Sequence, residues 1–136
     1  MEVAKIKSLK LLPIGNTKVT DKGMTHLSTM TQLEYLGLRG NLITDTGASH
    51  LTPLINLQGL NLAETKITDA TLKHIAKFTH LQNLWIQKTG VSDNSIPIIT
   101  NFKKLKKLDI SSTKITSQGI KTIKSKLPNC EITSGD

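Results

Sequence analysis

The sequence predicts an α/β solenoid in which short parallel strands line a concave side and helices cover the convex side. The first observation is a repeat of five leucines that stand 24 residues apart, namely Leu9, Leu33, Leu57, Leu81 and Leu105. The second is that each interval joins an alternating apolar segment to apolar residues at helical spacing. Such self-similarity indicates units that stack around one shared core. We therefore expect one domain over residues 1–136, with five repeats and a partial sixth starting at Leu127.

Each repeat opens with a predicted strand. The openings read LKLLPI, LEYLGL, LQGLNL, LQNLWI and LKKLDI. Side chains alternate between the two faces of a strand. The fourth and sixth positions, such as Leu60 and Leu62, should therefore enter the core, while the third, fifth and seventh face solvent. The shorter sixth opening, from Leu127 to Ile132, puts Cys130 in a leucine column, where we expect a buried thiol.

A turn and a helix should follow each strand. The ninth position is polar throughout and should serve the backbone of the turn, with Thr17, Asn41, Thr65, Thr89 and Thr113. Good N-cap residues come next, namely Thr20, Thr44, Thr68, Ser92 and Thr116. An aspartate, suited to the positive end of a helix, follows the first four of them. Pro97 should delay or distort the fourth helix, because a proline past the first turn removes a backbone hydrogen bond.

The shape of the stack follows from the widths of its elements. Helices are about 10 Å wide, whereas neighbouring strands lie about 4.8 Å apart. The stack should therefore bend so that the sheet is on the inside of the curve.

The composition indicates which partners and which cell compartment suit the chain. A net charge of +8, from 18 basic and 10 acidic residues, favours acidic partners, but Arg39 is the only arginine for bidentate recognition of phosphates or bases. The single cysteine excludes an intramolecular disulfide and suits a reducing cytosol. No segment has the pattern of a standard signal peptide or of a membrane span. We expect a cytoplasmic protein, or one delivered into a host cell by a non-standard route, with no membrane partner.

The titratable residues do not form a catalytic pattern. We find no nucleophile–base pair, phosphate loop or metal spacing, so we expect no enzyme activity and no cofactor. The four aligned aspartates are interpreted as a helix-start feature. His26, His50 and His74 share a helix column, but neighbouring helices lie about 8–10 Å apart, too far for easy shared coordination of a metal.

The repeats resemble the leucine-rich-repeat family. The L-x-x-L-x-(L/I) openings and the segments VTDKGM, ITDTGA, ITDATL and VSDNSI are similar to the 24-residue cysteine-containing and GALA-like bacterial subclass. The similarity covers about residues 9–132. The composition, rich in Lys, Thr and Ile, resembles that of leucine-rich-repeat effectors of intracellular bacteria such as Legionella. This resemblance implies protein recognition through the concave face, in some members by blocking an enzyme.

The aromatic residues suggest where a partner binds. Phe78 and Phe102 fall in a core column, whereas Tyr35 and Trp85 fall on the solvent face of the sheet, with Arg39. Tyr, Trp and Arg are enriched among interface hot spots. The alternative is that the two rings merely cover neighbouring strands. The predicted partner-binding residues are Tyr35, Arg39, Asn61, Asn83, Trp85, Gln87, Lys107 and Asp109.

The expected partner is another protein, such as an enzyme or a fellow effector, bound by a monomer or within a hetero-complex. The predicted sheet, roughly 25 by 14 Å, is smaller than the ~800 Å² per partner of a stable complex. The turns after the strands should therefore contribute as well. The lysines concentrated over residues 103–126 leave a second hypothesis, charge-driven binding of an acidic surface or nucleic acid. We favour a solvated edge instead, because lysine protects exposed edges and stacking aromatics are scarce.

Overall fold

The computed structural model describes residues 8–135, in which six strands form one parallel sheet in sequence order. The strands are β1 (Leu11–Pro13), β2 (Tyr35–Gly37), β3 (Gly59–Asn61), β4 (Asn83–Trp85), β5 (Lys107–Asp109) and β6 (Glu131–Thr133). Every pairing joins residues 24 positions apart, as Leu36 pairs with Leu60, so the sequence repeat is also the sheet register. The predicted fold class is confirmed.

Short helices cover the other side of the sheet. They are α1 (Asp21–Met24), α2 (Asp45–Ala48), α3 (Asp69–His74), α4 (Ile96–Ile99) and α5 (Ser117–Lys126). Stretches of 3₁₀ helix extend three of them, at Thr25–Thr29, Ser49–Leu51 and Asp93–Ser95. The helix α5 has ten residues, whereas the other four have four to six.

The shortness of the first helices has a local cause. The hydroxyls of Thr25 and Ser28 donate to the carbonyls of Lys22 and Thr25, three residues earlier, and Ser49 does the same to Thr46. Such bonds compete with the regular helical pattern and favour tighter turns. In the fourth repeat, Pro97 lies at the start of α4 after a 3₁₀ turn, so the predicted delay of this helix is confirmed.

The core runs along the whole stack. The fourth and sixth positions of repeats two to five are buried as predicted, and Phe78 and Phe102 are buried from the helical side. Side chains at the ninth position also hydrogen-bond to the backbone, as predicted. Thr65 donates to the carbonyl of Leu62 at 2.7 Å, while Asn41 donates to the carbonyls of Ile14 and Leu38.

The aspartates at the helix starts join neighbouring repeats, a role that the sequence analysis missed. Each accepts the backbone N–H of the N-cap residue in the next repeat at 2.8 Å, and the N-cap hydroxyl donates to the same carboxylate. Asp69, for example, binds Ser92 in this way. The same N-cap hydroxyl also accepts a backbone N–H of its own helix, in Ser92 from Asn94. One cap therefore connects two repeats.

Small residues make room for these carboxylates. A Cβ atom on Gly47 or Gly119 would overlap the carboxylate of Asp21 or Asp93, respectively. Thr71 and Ser95 occupy the same column, and their hydroxyls donate to Asp45 and Asp69. Burial acts to raise the pKa of Asp69, but the hydrogen bonds from Ser92 and Ser95 outweigh it, so the pKa lies below its usual value.

The sixth repeat corrects a prediction. β6 pairs Ile132 with Leu108, so the repeat starts at residue 129 rather than at Leu127. Leu127 is instead the buried C-cap of α5, because this full-length helix uses it to close the core before the chain turns. Cys130 therefore lies outside the leucine column, and it is half-buried rather than buried. Burial raises the pKa of its thiol, and the charge of Glu131 adds to that effect.

The aspartate bonds predict a specific loss of stability. Asp69→Ala removes the acceptor of three hydrogen bonds, so we expect the free energy of unfolding at pH 7 to fall by about 2–3 kcal/mol. Urea denaturation measures this. The matched control is Glu34→Ala, which removes an acid whose side chain is 43% exposed, at 4.0 Å from Lys10, and it should change little.

The stability lost in Asp69→Ala should also depend on pH. Since folding lowers the pKa of Asp69, its stabilisation is present above the unfolded pKa of about 3.9 and is lost as the pH falls through the folded pKa. The difference between wild type and Asp69→Ala should therefore shrink below about pH 4. A difference of equal size at pH 7 and in acid would contradict the account.

Candidate protein-binding face

The predicted binding residues lie together on the concave face of the sheet. Tyr35, Asn83 and Lys107 occupy one row across the strands, and Asn61, Trp85 and Asp109 occupy the next. Arg39 and Gln87 follow β2 and β4 at the seventh position. All eight are partly or fully exposed. Their role in binding stays a prediction.

Tyr35 and Trp85 contact each other across β3. Their ring centroids are 6.3 Å apart, and the ring planes meet at 78°, an edge-to-face arrangement. Such pairs contribute about 0.5–1.5 kcal/mol beyond the burial of their area. The two rings therefore form one aromatic pair rather than two separate anchors.

Two glycines form the floor beneath Tyr35. A Cβ atom on Gly59 would lie 2.9 Å from Cδ1 of Tyr35, and one on Gly37 would lie 2.6 Å from its Oη. The tyrosine ring thus lies along the backbone of β2 and β3, with Trp85 Cζ3 also close to the Gly59 position, at 3.9 Å. The rings do cover neighbouring strands, as the alternative interpretation held, yet both remain half-exposed. Glycine in an outward column beside Tyr35 was the signal that the sequence analysis missed.

A charged bridge borders the face where the strands end. Glu64 accepts a hydrogen bond from Arg39 Nε at 2.9 Å and another from Lys88 Nζ at 3.3 Å. The hydrogen bonds from Arg39 and Lys88 lower the pKa of Glu64, and the bond to Glu64 raises the pKa of Arg39. Glu64 and Lys88 are turn residues with φ of 57° and 56°. The turns therefore place charges along this edge of the face.

Other polar side chains on the face are partly fixed by the backbone. Asn61 Oδ1 accepts the N–H of Ala63 at 3.0 Å, and Asp109 Oδ1 accepts the N–H of Ser111 at 2.9 Å. Gln87 Oε1 differs, because it is enclosed and has no hydrogen-bond partner within residues 8–135. Asn61 and Asp109, the direct neighbours of Trp85 on β3 and β5, are thus held in place by the backbone.

A cleft of about 140 Å³ lies beside Trp85, on the side of β5 and β6. Its lining residues are Trp85, Lys107, Leu108, Asp109, Glu131 and Thr133. The sequence analysis did not name Glu131 and Thr133, because it treated the sixth repeat as partial and started it two residues early. A second groove, of about 310 Å³, lies near the N-terminal ends of the strands and is lined by Lys10, Gln32, Glu34, Asn56, Gln58 and His80.

The described part of the chain holds no cluster of three or more His, Cys, Asp or Glu residues that could bind a metal. In the histidine column, His26 is exposed, while His50 and His74 are half-buried. No helix within residues 8–135 has the length and apolar character of a membrane span.

The six-stranded parallel sheet, its 24-residue register and the helices behind it define a leucine-rich-repeat solenoid. A family model described as leucine rich repeat matches residues 103–124, the fifth repeat. No curated protein sequence matches the chain significantly.

Solved structures of bacterial proteins share the fold. An internalin, InlF of Listeria monocytogenes, matches with a TM-score of 0.83 and 25% identity, over 96% of this chain and 36% of that one. Internalin C2 of the same organism matches with a TM-score of 0.81 and 26% identity, over 97% of this chain and 54% of that one. A leucine-rich-repeat protein of Leptospira interrogans shares the fold. It is 24% identical, with a TM-score of 0.62, over 96% of this chain and 38% of that one. The chain thus spans about half the length of these proteins or less.

The glycine floor predicts a change that Trp85 can report. In Gly59→Ala the added Cβ displaces the Tyr35 ring and breaks its contact with Trp85, so we expect altered tryptophan emission and a loss of about 1–3 kcal/mol of stability. Trp85 is the only tryptophan, so its emission is unambiguous. The control is Gly23→Ala, whose Cβ would make an ordinary contact at 3.4 Å with Val19. Emission unchanged in both variants would show that the floor does not hold the ring.

Proposed function

We propose that this chain is a protein-binding module that holds its partner on the concave face, centred on Tyr35 and Trp85. The observation that carries this is the aromatic pair, packed on a glycine floor and still half-exposed. Tyrosine and tryptophan are over-represented among the residues that dominate binding energy. Because the rings already support each other, little side-chain freedom is lost when a partner arrives.

The proposal extends to how the partner is affected. The strands are three residues long, so the concave sheet is narrow and best suits a protruding loop or helix. A partner seated there would also contact the bridge formed by Arg39, Glu64 and Lys88. We propose that the chain is a bacterial effector or regulator that inhibits an enzyme by occluding its active site.

The bacterial setting is supported by the solved structures with the same fold, which come from Listeria monocytogenes and Leptospira interrogans. The resemblance of the repeats to GALA-like proteins and to effectors of Legionella points to the same setting. Action in the bacterial cytoplasm, or in a host cell after export without a standard signal, is part of the proposal.

Capture of a partner by wild-type protein and by Trp85→Ala tests the proposal. We expect wild type to retain a protein whose enzymatic activity falls on binding. Loss of a hot-spot ring should weaken that complex by about thirtyfold, measured by calorimetry. Thermal unfolding should show that Trp85→Ala stays folded while losing the aromatic-pair contribution of about 0.5–1.5 kcal/mol together with the contribution of the area that the ring buries.

The matched control is Ile55→Ala, which removes an apolar side chain that is 52% exposed in the loop before β3. It should leave the affinity unchanged. Equal affinities for wild type and Trp85→Ala would place the binding surface elsewhere.

A second candidate function rests on the basic end of the solenoid. Eight exposed lysines are concentrated there, namely Lys103, Lys104, Lys106, Lys107, Lys114, Lys121, Lys124 and Lys126. If they bind nucleic acid or another acidic surface, the affinity should fall steeply with salt and should not depend on Trp85. Our proposal predicts a shallow salt dependence and no gel shift of DNA or RNA at physiological salt.

A further inference from the structure

We infer that the cleft beside Trp85 receives one arginine side chain from the partner. That the arginine belongs to a partner protein rests on the proposed function. That the cleft prefers an arginine side chain is argued from the residues of the cleft alone.

The charge of the cleft is opposite to that of the chain. The chain carries +8, yet the cleft holds the carboxylates of Asp109 and Glu131 against the single ammonium group of Lys107. None of the three forms an ion pair with another residue of the described chain. One added cation would therefore neutralise the lining residues, while Arg39, on which the charge of Asp109 also acts, is already paired with Glu64.

The sheet register places both carboxylates on the β5 and β6 side of Trp85, where they line the same cleft. Asp109 is the direct neighbour of Trp85 on β5, and Glu131 on β6 lies diagonal to Asp109, one row away. Strands lie about 4.8 Å apart and two residues along a strand span about 6.6 Å, so diagonal neighbours are roughly 8 Å apart and one side chain can reach both carboxylates. Tyr35 packs against Trp85 from the β2 side, which leaves the side facing the cleft available.

The free acceptors are also well placed. Asp109 uses Oδ1 to bind the N–H and the hydroxyl of Ser111, and no hydrogen bond within the described residues reaches Oδ2. The bonds at Oδ1 fix the carboxylate, which lines the cleft together with Trp85. Glu131 is exposed and can turn toward a bound cation.

Arginine fits this arrangement better than the other side chains. Its planar guanidinium stacks on an aromatic ring while its five donors bind carboxylates at the edge. An acidic side chain would be repelled, and an apolar one would cover the carboxylates without pairing them. The volume of about 140 Å³ is below the ~300–1,000 Å³ of small-molecule sites and suits one side chain.

The test uses N-acetyl-arginine amide on the ¹⁵N-labelled protein, with the indole N–H signal of Trp85, the only tryptophan, as the readout. We expect a saturable shift. N-acetyl-citrulline amide, which has nearly the same shape without the charge, should produce none at equal concentration. Asp109→Asn, which keeps the acceptor for Ser111, and Glu131→Gln should each weaken binding by about two- to fivefold. Glu34→Gln, an acid outside this cleft, should bind like wild type.

The inference is overturned if the arginine amide causes no saturable shift, if citrulline shifts the signal equally, or if both cleft variants bind like wild type. Its failure is distinct from that of the proposed function. A partner that requires Trp85 while the arginine amide fails would remove only this inference. An arginine amide that binds while no protein occupies the concave face would remove only the proposed function.

Discussion

The hydrogen bonds from each helix-start aspartate to the N-cap of the next repeat set the geometry on which the rest of the structure depends. They join residues 23 positions apart, and they repeat four times with the same N–H to carboxylate distance of 2.8 Å. Because the carboxylate binds both the backbone and the hydroxyl of the cap, neighbouring repeats cannot slide past each other without losing several bonds at once. The bonds reinforce the strand register of 24, which β5 and β6 keep without such a bond and which places equal positions side by side on the concave face.

The side chains on the concave face are largely free of structural roles. Inward positions of the strands are occupied by the core, and the cap aspartates lie at the helix starts, so the outward positions carry few structural duties. Tyr35 and Trp85 use this freedom to form a supported pair over Gly59, and Asp109 is fixed beside them by Ser111. The side chains around Trp85 are thus supported by their neighbours, and the acidic excess of the cleft beside Trp85 differs from the basic charge of the chain as a whole.

Much of the fold could be predicted because it depends on patterns inside one repeat. The buried positions and the polar ninth column follow from alternation and turn chemistry, and both are confirmed. The aspartate bonds were missed because an aspartate that supports its own helix and one that binds the next repeat look the same in sequence. The start of the sixth repeat was wrong because Leu127 fits a strand opening as well as a helix end. The contact of Tyr35 with Trp85 depends on ring orientation over glycine, which no periodicity encodes.

The central claim is that the concave face around Trp85 is the recognition surface of this solenoid. The most direct measurement is the change in backbone amide signals of the ¹⁵N-labelled chain when a captured protein partner is added. The account predicts changes concentrated on β2 to β6 and on the turns around Glu64 and Lys88. Changes confined to α5 and the other lysine-rich segments, with the indole signal of Trp85 unmoved, would contradict it.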